Sequence, residues 1–315
     1  MTLSGRHSNT WPQSAVRSRR AIMRAVPMRG SSPPKIWELD PLCWISCWAK
    51  IPRQQPRGAL SFARSLGLLH TQTFWREPYT AANQASLPHD LKPIQKRWEQ
   101  VKASAAQLGL PTPQGVDQDI AEIVKTLADT SAYIALSSGD PSVVNCKVIN
   151  GQVSFLDFEE ACLRPALVDA AVLHFLYPTG GPSWQVPRGM ALQLESVYRA
   201  ELARVCPAAT EDASSYGGIA AAGAAWMILR MARLPLVDAG PDRDPWQLLP
   251  PDWSGPIPAR SRRRQLVAIV ETWIGLAGRA NSLCALATWC ESVTGALRDR
   301  WPEASEEFPF YPAFK

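Results

Sequence analysis

Two short segments hold the residues whose types and spacing can do chemistry. The first reads Ser138-Gly139-Asp140-Pro141-Ser142-Val143-Val144-Asn145, the second Leu156-Asp157-Phe158-Glu159. Asp140 lies in a polar loop after a short apolar run, where a carboxylate can orient a hydroxyl and accept its proton. Asn145, five residues on at the far end of the loop, can point back beside it as a neutral oxygen ligand. Asp157 ends a later strand and brings a second carboxylate toward both. Such a set suits the movement of a phosphoryl group to a hydroxyl, because Mg2+ favours carboxylate oxygens together with substrate phosphates and retained water. Taken singly, each residue has a structural reading: Gly-Asp-Pro is a common turn, Asn145 suits a turn cap, and Asp157 an ordinary strand end. Their conjunction carries the chemistry.

The elements that must position these residues follow from apolar period. Tyr133-Ile134-Ala135-Leu136 is a short apolar run that reads as a strand. Cys146-Lys147-Val148-Ile149 and Gln152-Val153-Ser154-Phe155-Leu156 flank Asn150-Gly151, which reads as a hairpin because a type I′ turn needs positive φ at both central residues. Upstream, Leu60, Ala63, Leu66, Gly67 and His70 share one face of a helix over 57–70. Leu91, Ile94, Trp98, Val101 and Ala105 are in step over 91–108, and Pro111 and Pro113 end that helix. Asp117 reads as the N-cap of a helix over 118–129 that turns Ile120, Ile123, Val124 and Leu127 inward. Beyond Asp157 the pattern is helical, at 165–176, 189–206, 212–234, 260–279 and 282–300, with Phe308-Pro309-Phe310-Tyr311-Pro312 as a packed terminal strap. His70 and His174 read as packing or capping residues. Arg260-Ser261-Arg262-Arg263-Arg264 reads as a solvated basic face, with attraction of an anionic substrate as the second reading. Trp226, Trp246, Trp253, Trp273 and Trp289 read mostly as core, with one or two free to line an acceptor pocket.

On these residues the sequence resembles the aminoglycoside phosphotransferase and choline kinase family, small-molecule kinases related in fold to protein kinases. The family's catalytic loop reads His-Gly-Asp-x-x-x-x-Asn, matched here from Gly139 to Asn145 with Ser138 in the histidine position. Its metal-binding strand end reads Ile/Leu-Asp-Phe/Trp-Glu/Gly, matched by Leu156 to Glu159. The resemblance implies Asp140 as catalytic base, Asn145 and Asp157 as the Mg2+ ligands that hold ATP, and Asp169 as a support for the catalytic loop. It implies an α+β, protein-kinase-like fold: a mostly helical C-lobe over 57–315, with the catalytic loop and hairpin at 132–159 and a helical subdomain at 165–301. The N-terminal nucleotide lobe is expected to be truncated or absent. Residues 1–56 hold seven prolines and no sustained apolar period, and they read as an irregular basic head. No glycine-rich phosphate loop is visible, and the upstream lysines, Lys35 and Lys50, lie in no alternating apolar run. The implied activity is ATP-dependent transfer of the γ-phosphate to a hydroxyl of a small molecule. The alternative is a catalytically inactive kinase-like binding protein, or a fragment lacking the nucleotide lobe.

Composition excludes several other classes. With 46% hydrophobic and 19% charged residues in 315, the chain is neither collagen-like, coiled-coil nor wholly disordered. The longest apolar run, Gly218 to Leu229, stops at twelve residues, whereas a membrane span needs about 20. Residues 1–76 hold 12 Lys/Arg against two acids, and the rest holds 21 against 26. The basic excess thus sits in the Pro- and Arg-rich head and not over the body, which argues against a nucleic-acid partner. Seven cysteines without a Cys-x-x-Cys pair read as reduced thiols. No apolar stretch of a secretory signal follows the head's arginines, so a cytoplasmic location is expected.

Overall fold

Helical period builds most of the framework. In α1 (Gln55–Gln72), Ala59, Phe62, Ala63, Leu66 and His70 recur three and four residues apart, and all are buried. Leu60, expected on this face, is only partly buried. In α2 (Leu91–Gln107) the buried stripe is Ile94, Trp98, Val101 and Ala105, and in α3 (Val116–Ala128) it is Val116, Ile120, Ile123 and Leu127. The structure, a computed structural model, describes residues 55–74, 91–128, 133–142, 145–149, 152–159, 161–175, 183–242 and 261–310, all within one unit, Leu42–Lys315. The head through residue 54, with Lys35 and Lys50, lies outside the described residues. So do the Asn150-Gly151 turn, Trp246, Trp253, Arg260 and Tyr311-Pro312.

Architecturally the protein is α+β, mostly helical, with two two-stranded antiparallel sheets among the described residues. β2 (Cys146–Ile149) and β3 (Gln152–Phe155) form the expected hairpin, Cys146 opposite Phe155 and Ile149 opposite Gln152. The other sheet pairs β1 (Ile134–Ser137) with β4 (Cys162–Pro165), Ala135 opposite Arg164 and Ser137 opposite Cys162. This corrects the helix expected over 165–176. The segment opens with β4, continues as one turn, α4 (Leu167–Ala170), and ends in a 3-10 turn at Ala171–His174. Trp226 Nε1 donates to the carbonyl of Val168 at 2.9 Å, which satisfies a group that so short a helix leaves open.

The helices that follow are α5 (Arg188–Leu202), α6 (Asp212–Met231), α7 (Leu234–Ala239), α8 (Arg262–Ala280) and α9 (Cys284–Arg300). Their shared core holds Trp273, whose Nε1 donates to Ala220 O at 3.0 Å, and Trp289, edge-on to Trp98 with ring centroids 5.2 Å apart. Asp117 is not the N-cap of α3. It lies inside the first turn and accepts from Trp98 Nε1 at 2.8 Å, so it ties α3 to α2. The neighbouring Asp119 accepts the Leu286 backbone N–H at 2.8 Å and so caps α9. The basic cluster is also corrected. Arg263 pairs with Glu303 at 2.7 Å and Arg264 with Glu306 at 3.2 Å. Both arginines therefore fasten the terminal segment, whose Phe308 is buried and whose Pro309 carbonyl accepts Gln185 N–H at 2.8 Å. Among the described residues, no helix is long and apolar enough to cross a membrane.

α1 and α5 approach closely at Gly67, where an added Cβ would sit 2.8 Å from Glu201 Cβ and 2.9 Å from the Tyr198 carbonyl oxygen. Gly275, exposed in α8, has nothing within 4 Å of such a Cβ. One chemical change should therefore have opposite signs. Gly275→Ala is expected to gain about 0.5–1 kcal/mol from helix propensity. Gly67→Ala is expected to lose about 1–3 kcal/mol from overpacking. Urea midpoints of the two variants check the pair, and equal shifts would contradict the close approach.

Candidate active site

Side-chain alternation puts Ser137 on the same face of the β1–β4 sheet as Arg164, which lies opposite Ala135 two residues earlier. Both side chains converge on Asp169, just beyond the end of β4. Arg164 donates from Nε at 3.0 Å and from Nη2 at 2.5 Å to Asp169 Oδ1, and Ser137 Oγ donates to the same oxygen at 2.9 Å. These two residues also grip the loop. Arg164 Nη2 donates to the Gly139 carbonyl at 3.1 Å, and Ser137 Oγ accepts the Gly139 N–H at 2.9 Å. Gly139 thus has both backbone polar groups fixed, at φ 93°, a left-handed conformation that glycine adopts without strain. The residue it presents next is Asp140.

Asp140 is exposed, between the buried Pro141 and Ser142 on one side and half-buried Gly139 on the other. Asn145 turns back onto it as the five-residue spacing predicts. Its Nδ2 donates to Asp140 Oδ2 at 3.1 Å and to the Asp140 carbonyl at 3.2 Å. The Asn145 carbonyl accepts the Leu156 N–H at 2.9 Å, so the strand that carries Asp157 leaves the hairpin bonded to the loop. Asp157 is exposed, and its Oδ1 accepts the Glu159 N–H at 3.1 Å. Cys146, at the loop's exit, is a core thiol: burial, and after it the Asp140 charge, push its pKa well up.

The donor set suits a hard cation. Asn145 spends its nitrogen on Asp140, which leaves Oδ1; Asp157 spends Oδ1 on a backbone N–H, which leaves Oδ2. Among the described residues no three His, Cys, Asp or Glu side chains gather into a metal cage. Mg2+ requires none, since it is commonly held by one or two carboxylates with phosphates and water.

Four residues to which the sequence reading gave no role at the site hold this arrangement: Ser137, Arg164, His70 and Tyr198. His70 ends the core face of α1, fully buried, with Nε2 3.2 Å from Asp169 Oδ2 and Nδ1 2.8 Å from the Tyr198 hydroxyl. For Arg164 a signal existed. Arg164 and Asp169 are opposite charges five apart in the otherwise apolar run Ala161 to Leu173, and charges in such a run must pair. For His70 no local signal distinguished it from a packed histidine. Ser138, by contrast, has a buried hydroxyl with no hydrogen-bond partner among the described residues.

Burial pushes the Asp169 pKa up, but the Arg164 guanidinium, then His70 and Ser137, overcome this and hold it at about 2, against an ordinary 3.8. Because the folded value is depressed, the stability it contributes is complete above the unfolded value. That stability is lost as pH falls through the folded one, about 2 kcal/mol in all. Asp169→Asn is expected to remove this part of the pH dependence. At neutral pH it should cost about 3–5 kcal/mol, because Arg164 keeps a buried charge without its partner. Urea unfolding at a series of pH values from 2 to 7 checks both, and an unchanged slope in the variant would overturn the assignment. No protein-family model matches the chain, and no curated protein matches it either.

Proposed function

We propose that the chain is a small-molecule kinase of the aminoglycoside phosphotransferase and choline kinase type, with a kinase-like helical lobe, which transfers the γ-phosphate of ATP to a hydroxyl. The observation that carries this reading is the contact of the Asn145 amide with the Asp140 carboxylate at 3.1 Å. It joins the two ends of the loop and sets the Asn145 amide beside the Asp140 carboxylate. In this role Asp140 orients the acceptor hydroxyl and takes its proton as the oxygen attacks. The bond from Asn145 engages Oδ2 and leaves Oδ1 for the acceptor. Asn145 Oδ1 and Asp157 Oδ2 would hold Mg2+, which when bound offsets charge on the phosphates. The exposure of Asp140 and Asp157 supports the reading, since both must meet substrates from solvent.

Calorimetric titration of ATP with and without Mg2+ tests it. Binding is expected only with Mg2+, and Asp157→Ala should weaken it at least about tenfold. Asp140→Asn should keep nucleotide binding and lower turnover about 10²–10⁴-fold. No binding at millimolar ATP would overturn the enzyme reading and favour a non-catalytic kinase-like binding protein.

A further inference from the structure

We propose that His70, remote in sequence from the loop, is the positioning residue that sets the conformation of Asp140. The proposal rests on Asp140 being the catalytic base. At position 138 the buried Ser138 hydroxyl has no hydrogen-bond partner among the described residues. The imidazole that the loop lacks comes instead from α1. His70 and Asp169 are each fully buried. An ionised carboxylate only accepts, so the Nε2 nitrogen at 3.2 Å from Asp169 Oδ2 must carry the proton. The other ring nitrogen, Nδ1, is hydrogen-bonded to the Tyr198 hydroxyl, 2.8 Å away. Tyr198, His70 and Asp169 therefore form one continuous hydrogen-bonded chain, which the Tyr198 hydroxyl also anchors to the Ala166 carbonyl at 3.3 Å. Tyr198 meets the ring edge-on at 88°, which fixes the imidazole plane.

This chain occupies Asp169 Oδ2 and turns Oδ1 toward Arg164 and Ser137. Those two hold the carbonyl and the N–H of Gly139, the residue before Asp140. Without the imidazole, Oδ2 is a buried acceptor with no donor from α1, and the carboxylate is free to rotate toward another. Rotation releases Ser137 or Arg164, and with either of them Gly139. Packing alone would not require this. A buried side chain of the same size without nitrogens would fill the space between α1 and α5, but it would leave the carboxylate unset.

Amide hydrogen exchange in the full chain separates these roles. His70→Phe keeps the ring bulk and removes both bonds, and His70→Gln keeps a donor that can reach Asp169. The Phe variant is expected to speed exchange at Gly139 and Asp140 at least about tenfold relative to the core amides of Met227 and Val293. The Gln variant should restore most of the protection. Tyr198→Phe, which loses only the hydroxyl, should give a smaller change of the same pattern, and it serves if the Phe variant does not fold. In turnover assays the same series should lower kcat while KM for ATP stays constant. Uniform acceleration at loop and core amides, or no rescue by glutamine, would overturn the proposal. The expected exchange pattern in a protein without phosphotransfer would uphold the positioning and discard the phosphotransferase reading, so the two failures remain distinct.

Discussion

Arg164 and Asp169 have side chains exposed by only 2% and 0%, so two full charges have been taken out of water. Desolvation of such a pair costs several kcal/mol per ion, and their attraction offsets it only when the remaining donors and acceptors are satisfied. Asp169 Oδ1 takes Arg164 and Ser137, Oδ2 takes His70, and the guanidinium also donates to the Gly139 carbonyl. Apolar residues of equal volume would stabilise the fold about as well. What they would not do is hold a loop backbone at both of its polar groups. The pair is therefore best understood through the geometry it imposes on Gly139 and hence on Asp140.

α1 is the common support of that geometry. At its middle Phe62 packs on Phe155 of β3 with ring centroids 5.6 Å apart, which seats the hairpin that delivers Asp157. At its end His70 reaches Asp169, and Thr73 accepts the Leu136 N–H at 3.1 Å, which pins β1. One helix thus touches the hairpin, the clamp and the strand before the loop. α5 presses against it through Gly67, and Thr71 donates to the Glu201 carbonyl at 2.9 Å. The distance between α1 and α5 is therefore coupled to the loop through Tyr198 and His70.

How much of this the sequence disclosed depends on how local each signal was. The stripe of α2 from Ile94 to Ala105 and the β2–β3 pairing have periods visible within a dozen residues and formed as read, whereas in α3 Val124, read as inward, is only partly buried. Asp140 and Asn145 meet because their separation is short. β4 escaped notice because Cys162-Leu163-Arg164-Pro165 carries an arginine and a proline, and its partner β1 lies far upstream. The apolar stretch after it reads as one helix, although it breaks into a single turn and a 3-10 turn. His70 and Asp169 are 99 residues apart, and no pattern inside α1 announces a partner at that distance. The basic cluster was misjudged for the same reason, since Glu303 and Glu306 lie a helix pair away.

The buried and the exposed carboxylates differ in how their charge is met. The buried Asp169 is matched by Arg164. Glu195, whose pKa burial raises but His174 and Arg279 bring down, is likewise paired, with Arg279 Nη2 2.5 Å from its Oε2. The exposed Asp140 receives a neutral amide and the exposed Asp157 a backbone N–H. Neither forms an ion pair with a described lysine or arginine. Two unneutralised carboxylates carried by one bonded loop create a negative potential, which draws cations and repels a free polyphosphate. On the phosphotransferase reading, the nucleotide species that this loop can accept is therefore the Mg2+ complex, because only the complex brings the charge that the loop itself does not supply.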